Sequence, residues 1–318
     1  MRQEALMGHT GLVGGILSRQ HTFSACFNTS NVDAMAGRSF DTVVCAAAPG
    51  SMFMANRAPD QDRAQVHALM DRLEAVQAQR FVLISSIAVL ADFAAGDDEG
   101  TEAFQTALAY GRHRRELEVF CESHFDDCLI VRLPALFGTG LRKNFIFDLL
   151  HPVPSLLTQA RFEALQQALP QALRPVLERI YSPESQGLRS VQRQALALEP
   201  DGRALASALL ETGLSATQFH HPETTYQFYA LDRLWGDIGV ATQQGLTHLH
   251  LATEPLRAGD IHHRLLGTEM PASEARIHHE NMHTRHAGLW GRQGPYLEDG
   301  DTVLEKLAVF FRSHKGSA

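Results

Sequence analysis

The sequence predicts a doubly wound α/β domain, a parallel sheet with helices on both faces, followed by a smaller and mostly helical lobe. Three observations point to it. Glycines at 8, 11 and 14 follow a short apolar run at the start of the chain and precede an apolar helix. Unbroken apolar runs at 41–48, 80–86 and 127–134 alternate with segments of helical periodicity, which is the signature of strands buried on both faces. From about Gly138 the alternation stops, and residues 156–180 read as helix interrupted by Pro170 and Pro175.

In chain order, residues 5–7 form a buried strand that runs into the turn G-H-T-G-L-V-G at 8–14. Gly8 permits the sharp exit from the strand, Gly11 lets the backbone come close to a pyrophosphate, and Gly14 lets the helix pack on the sheet. The helix opening near Leu12 turns its free N–H groups toward that position, where its dipole favours negative charge. Residues 22–27 read as a second strand that ends in the polar turn Asn28, Thr29, Ser30, Asn31. The third strand, 41–48, ends in Ala46, Ala47 and Ala48, small residues that let a flat ligand lie close. Val66, Met70, Leu73 and Val76 give residues 59–79 one buried helical stripe. That helix feeds R-F-V-L-I-S-S at 80–86, the strongest strand signal in the chain. Helix is predicted over 101–120 and strand over 127–134. Later strands are expected at 227–230 and 247–253, the second of them returning to the main sheet. The resulting division is a dinucleotide-binding domain over 1–150 with return elements at about 222–255, and a substrate lobe from 151–221 and 256–318.

Composition narrows the function. The chain has 318 residues, 44% of them apolar, which is enough for one large or two modest cores. A net charge of -8 argues against nucleic acid or an anionic membrane surface as partner. The chain enters a strand at once and has no stretch of the roughly 18 apolar residues that span a bilayer, so a cytoplasmic protein is expected. Cys26, Cys45, Cys121 and Cys128 form no C-x-x-C pair and read as buried free thiols. Of 17 histidines, 11 lie after residue 218, but no acidic or cysteine partner stands at a recognised ligand spacing, and no metal is expected.

The chemistry centres on two pieces. Ser85 and Ser86 end the best strand, and Tyr110 and Arg114, four residues apart, share one helix face. A tyrosine hydroxyl ionises near pH 10 and is a poor acid–base group at neutrality, but a cation one turn away favours its phenolate. With a serine hydroxyl holding the substrate oxygen, these parts describe carbonyl and alcohol redox chemistry.

G-H-T-G-L-V-G at 8–14, V-V-C-A-A-A at 43–48, V-L-I-S-S-I-A-V-L at 82–90, Y-G-R-H-R at 110–114 and V-R-L-P-A-L-F-G-T-G at 131–140 resemble the extended short-chain dehydrogenases/reductases, the NAD-dependent epimerase/dehydratase family. The resemblance covers the first 150 residues, with a weaker echo at 226–234 and 250–255. It implies a Rossmann-type fold, NAD or NADP as cofactor, and a nucleotide-sugar-like substrate. It places Gly8, Thr10, Gly11, Leu12, Val13, Gly14, Asn28, Ala46, Ala47, Ala48, Ser85, Leu133 and Pro134 along the cofactor, together with Tyr110 and Arg114. It implies Ser86, Tyr110 and Arg114 as the catalytic residues, with Ser86 and Asn144 on the substrate. A homodimer through a four-helix interface that includes the helix of Tyr110 is a further implication.

Three departures from the family pattern carry meaning. Arg114 stands where the family has lysine, and its planar fork places donors differently from an ammonium. Asn28, Thr29 and Ser30 offer neither an acid for a ribose 2′-hydroxyl nor an arginine for a 2′-phosphate, which leaves NAD and NADP both open. Ile87 and Ala88 stand where sugar dehydratases of the family carry an Asp-Glu pair, which disfavours dehydration and leaves epimerisation or ketone reduction. The alternative reading is a dinucleotide-binding protein on the same scaffold with weak or absent catalysis and a sensing or interaction role.

Overall fold

The computed structural model describes residues 2–184 and 187–315. β1 (Glu4–Met7) buries Ala5, Leu6 and Met7 and turns at Gly8 into α1 (Leu12–Gln20). β2 (Ala25–Phe27) lies parallel to β1, with Phe27 opposite Met7. A single 3-10 turn, Val32–Met35, carries the chain back to β3 (Ser39–Cys45) on the other side of β1. α2 (Met52–Arg57) and α3 (Pro59–Leu73) follow. Pro59 and the acids Asp60 and Asp62 occupy the first turn of α3, where a missing N–H costs nothing and the helix dipole favours negative charge.

β4 (Gln77–Ser86) begins before its apolar run does, because Gln77 and Ala78 already pair with Ser39 and Phe40. The helix expected over 59–79 therefore stops at Leu73. α4 (Ala109–His124) starts later than expected, since residues 101–108 satisfy their own backbone through the Thr101 and Gln105 side chains. β5 (Cys128–Leu133), buried throughout, and β6 (Ala135–Phe137) complete this stretch.

The chain continues through α5 (Phe145–Leu150), β7 (Leu156–Thr158), α6 (Gln159–Ala168), α7 (Arg174–Ile180), β8 (Tyr181–Pro183), β9 (Leu188–Val191), α8 (Arg193–Leu198) and α9 (Gly202–Glu211). β10 (Thr225–Tyr226), β11 (Phe228–Ala230), α10 (Leu234–Gln243), β12 (His248–His250), β13 (Leu256–Arg257), α11 (Ala258–Leu266) and α12 (Gly300–His314) end it. Among the described residues no helix is long and apolar enough to cross a membrane.

Internal contacts divide the chain into two units. The first comprises Met1–Gly140, Tyr226–Leu256 and His279–Val303, and the second Leu141–Thr225, Arg257–His278 and Leu304–Ala318. In the first, six parallel strands run in the order β12-β5-β4-β3-β1-β2. One face of the sheet packs Val66, Leu69 and Leu73 of α3 with Leu117 and Cys121 of α4. The other packs Ile16 and Leu17 of α1 with Leu234, Ile238 and Ala241 of α10. Helices on both faces of a parallel sheet are the predicted doubly wound architecture. β12 returns to the main sheet against β5, with Leu249 opposite Val131. β11 instead pairs with β6 in a separate two-stranded ribbon, Tyr229 opposite Leu136.

The second unit is built on Phe162, Leu165, Val176, Leu177, Ile180, Leu205 and Leu209. Its antiparallel sheet, in the order β7-β9-β8, was hidden in the sequence because strands of three or four residues are too short to display a period.

Candidate active site

The glycine turn lies where β1 and β3 end side by side. Gly8 has φ +83°, a left-handed conformation that favours glycine, and a Cβ there would meet the Ala46 carbonyl oxygen at 2.4 Å. A Cβ on Gly14 would meet the Gly8 carbonyl oxygen at 2.2 Å. Gly11 has a looser fit, with its nearest such contact at 3.4 Å, and its exposed backbone caps α1 without a side chain in the way. In such a helix the N–H groups of Leu12, Val13 and Gly14 have no partner within the helix. A bare backbone cradle at the positive end of a nine-residue helix is the shape and charge that a pyrophosphate requires. Ala46 is tied to the turn through its N–H, which donates to the Met7 carbonyl at 2.9 Å. Thr10 is exposed beside the turn, and Ala47 and Ala48 continue from Ala46.

Asn28 follows β2 at the same end of the sheet. Its side-chain oxygen accepts from the Ser30 N–H at 2.9 Å and the Ser30 hydroxyl at 2.6 Å, so the turn is held by its own side chains. Leu133 and Pro134 are buried at the end of β5.

Ser86 ends β4 and caps the 3-10 turn Ile87–Val89, accepting the Ala88 N–H at 3.2 Å. Tyr110 stands in the first turn of α4, with its hydroxyl near enough to that of Ser86 for the serine to favour the ionised form. Two contacts bring them together. The Asn56 side chain accepts the Tyr110 N–H at 3.0 Å, serving as a cap from outside the helix. Gly111 lets α4 lie against the turn after β4, because a Cβ there would meet the Ala88 carbonyl oxygen at 1.9 Å. Ser85, one residue earlier and so on the opposite face of the strand, donates to Glu118 at 2.5 Å inside the core. It points away from Ser86.

Arg114 is only 3% exposed. Its Nη1 and Nη2 donate to the Asp62 carboxylate at 2.6 and 3.0 Å, and Nη2 also donates to the Pro49 carbonyl. The guanidinium carbon lies 4.3 Å from the centre of the Tyr110 ring. Nε is buried with no hydrogen-bond partner. The expected lowering of the tyrosine does not result. Burial pushes the Tyr110 hydroxyl above the ordinary phenol value, and the Asp62 carboxylate adds to that against the pull of Arg114 and Ser86.

Asn144 belongs to the second unit. It is the single non-glycine residue with positive φ among the described residues, at +112°, and its side chain caps α5 by accepting the Phe147 N–H at 3.2 Å. A strained backbone over-determined by its surroundings marks a position worth testing.

Reading the sequence alone missed Asp62, Asn56 and Gly111. Asp62 looks like an ordinary helix-start acid, and nothing local links it to residue 114. Gly111 left a signal, since glycine inside a helix costs about 1 kcal/mol and calls for a packing reason.

Several of the histidines serve as structural partners. His248 pairs with Glu122 at 2.7 Å, and His250 sits between Arg132 and the His283 carbonyl. In the second unit His220 pairs with Asp148 at 2.8 Å. Among the described residues no group of three or more His, Cys, Asp or Glu could hold a metal ion.

A six-stranded parallel sheet with helices on both faces and a glycine turn after β1 is a Rossmann-type fold. Solved structures share this fold over nearly the whole chain. RMD from Pseudomonas aeruginosa complexed with NADPH superposes with a TM-score of 0.62 at 14% identity, over 99% of this chain and 100% of that one. dTDP-4-dehydrorhamnose reductase from Bacillus anthracis, in complex with NADP, gives 0.60 at 13% identity over 98% and 99%. UDP-glucose 4-epimerase from Thermotoga maritima, with UDP-glucose, gives 0.59 at 11% identity over 98% of each chain. No protein-family model matches the sequence, and no curated protein matches it.

Proposed function

We propose that the chain is an NAD(P)-dependent oxidoreductase or epimerase acting on a nucleotide-activated sugar. The observation that carries this reading is the backbone cradle that admits no side chain at Gly8 or Gly14, in the same unit as the neighbouring Ser86 and Tyr110 hydroxyls. The structural likeness to nucleotide-sugar epimerases and reductases supports it.

The residues present fit the dinucleotide. Gly8, Gly11 and Gly14 would take the pyrophosphate, Ala46 to Ala48 and Asn28 would lie along the adenosine side, and Leu133 and Pro134 would lie beside the nicotinamide. When bound, that group supplies hydride transfer to or from a carbon bearing oxygen. The chain's own part is the proton. Ser86 orients the reacting oxygen, and Tyr110 exchanges a proton with it. Ile87 and Ala88, 5% and 1% exposed, offer no acid or base next to Ser86, which disfavours loss of water. Asn144 is the candidate for contact with the substrate's diphosphate.

Titration with NAD, NADH, NADP and NADPH, followed by thermal shift, tests the cofactor. Binding of either redox pair supports the reading, and binding of none overturns it. With binding established, Tyr110→Phe should lower turnover of nucleotide sugars by about 10²-fold or more while leaving cofactor affinity nearly unchanged. Unchanged turnover would leave the second reading, a dinucleotide-binding protein without this chemistry, which the engagement of Arg114 by Asp62 and Pro49 favours.

A further inference from the structure

The cation one turn after Tyr110 is enclosed. Asp62, itself 5% exposed, receives three donors: Arg114 Nη1 at 2.6 Å, Arg114 Nη2 at 3.0 Å and His113 Nδ1 at 2.8 Å. Arg112 Nη2 lies 3.3 Å from His113 Nε2, which places the imidazole proton on Nδ1, facing Asp62. The two-point contact fixes the plane of the guanidinium, as a carboxylate does best with arginine. That plane lies over the Tyr110 ring. The groups acting on the Tyr110 hydroxyl are therefore Arg114 from its own helix, Asp62 from α3 and Ser86 from β4.

We propose that Asp62 is the positioning residue of this site, holding the Arg114 guanidinium against the Tyr110 ring and offsetting part of its charge there, so that the buried Tyr110 stays a phenol ready to give a proton. The proposal rests on the assignment of Tyr110 as the acid–base group and deepens it. A site resting in the phenol form passes its proton to a substrate oxygen and is left as phenolate, with the Ser86 hydroxyl as its hydrogen-bond donor. That resting state suits a substrate that arrives as a carbonyl, a keto sugar, over one that arrives as an alcohol and must lose a proton first. Burial works against the charge on Asp62, yet the hydrogen bonds from Arg114 and His113 hold its carboxyl below the usual range, so the anion persists at neutral pH.

Tyrosinate absorbance, followed with pH on the protein without added cofactor or substrate, tests this. The chain has five tyrosines, and subtracting the Tyr110→Phe profile isolates one of them. Asp62→Asn should bring the Tyr110 midpoint down by about one pH unit or more, because the Arg114 charge is then no longer offset. A smaller fall, no change or a rise in the folded variant overturns the proposal. Should Asp62→Asn fail to fold with Arg114 unpaired, the double variant Asp62→Asn/Arg114→Gln decides. A midpoint within about one unit of the wild type supports the offset, and a larger change in either direction overturns it. The titration needs neither dinucleotide nor turnover, so its failure is distinguishable from failure of the functional reading, which shows as absent cofactor binding or an active Tyr110→Phe.

Discussion

Gly111 and Gly14 do the same physical work at two places, letting a helix start close against the end of a strand. Alanine at 111 would drive its Cβ into the Ala88 carbonyl oxygen at 1.9 Å, and alanine at 14 into that of Gly8 at 2.2 Å. Both obstacles are backbone, so the helices must move. Gly111→Ala should lower stability by about 1–3 kcal/mol and separate Tyr110 from Ser86, and a denaturant melt with an activity assay would show both losses. Gly14→Ala should abolish dinucleotide binding in a titration that the wild type passes. Retained affinity would mean that the cradle is not the binding surface. The two glycines differ in how visible they are. Gly14 belongs to a spaced triplet and was legible in the sequence, whereas the need for Gly111 depends on Ala88, which the fold alone brings near.

Glu118 ties the sheet to the helix above it. From α4 it accepts from Arg132 of β5 at 3.0 and 2.7 Å, from Ser85 of β4 at 2.5 Å and from Arg115 at 2.8 Å, and it is fully buried. Arg132 in turn contacts His250 of β12 at 3.0 Å. Glu118→Gln should cost about 3–5 kcal/mol in a denaturant titration, since it leaves the Arg132 charge buried and underpaired. Burial and the Arg132 charge push His250 down to about 4, although Glu99 pulls the other way. The unfolded chain takes up this proton near pH 6.5, the folded one only near pH 4. This residue therefore costs no stability above about pH 6.5, and its cost grows to on the order of 3 kcal/mol as pH falls to about 4. Unfolding of His250→Gln should show a shallower loss over that window. The strands that carry these residues were legible from their apolar runs. The polar network was not, because its members come from four elements and each looks like an ordinary charged or strand-end residue on its own.

Three of the four cysteines, 45, 121 and 128, are buried, and Cys26 is half-buried. Burial pushes the thiols of Cys45 and Cys128 up to about 11 and about 12 and that of Cys121 further up. A thiol reagent should therefore modify the folded protein slowly and at Cys26 alone, and all four thiols after denaturation. Fast reaction of more than one thiol in the native state would show that the first unit opens readily. The sheet order was only partly legible at this level. The crossovers through α1, α3 and α4 follow from alternation, but the return of the chain to the edge of the sheet rests on three residues, His248–His250. That return governs how the protein is made. β12 is synthesised only after the whole 141–225 segment of the second unit has been made. Until then β5, with its run of Leu129, Ile130 and Val131, has an unpaired edge. Early in synthesis the nascent chain thus carries an apolar, hydrogen-bond-hungry strand, and its safe passage depends on translation outrunning aggregation or on a chaperone covering that edge.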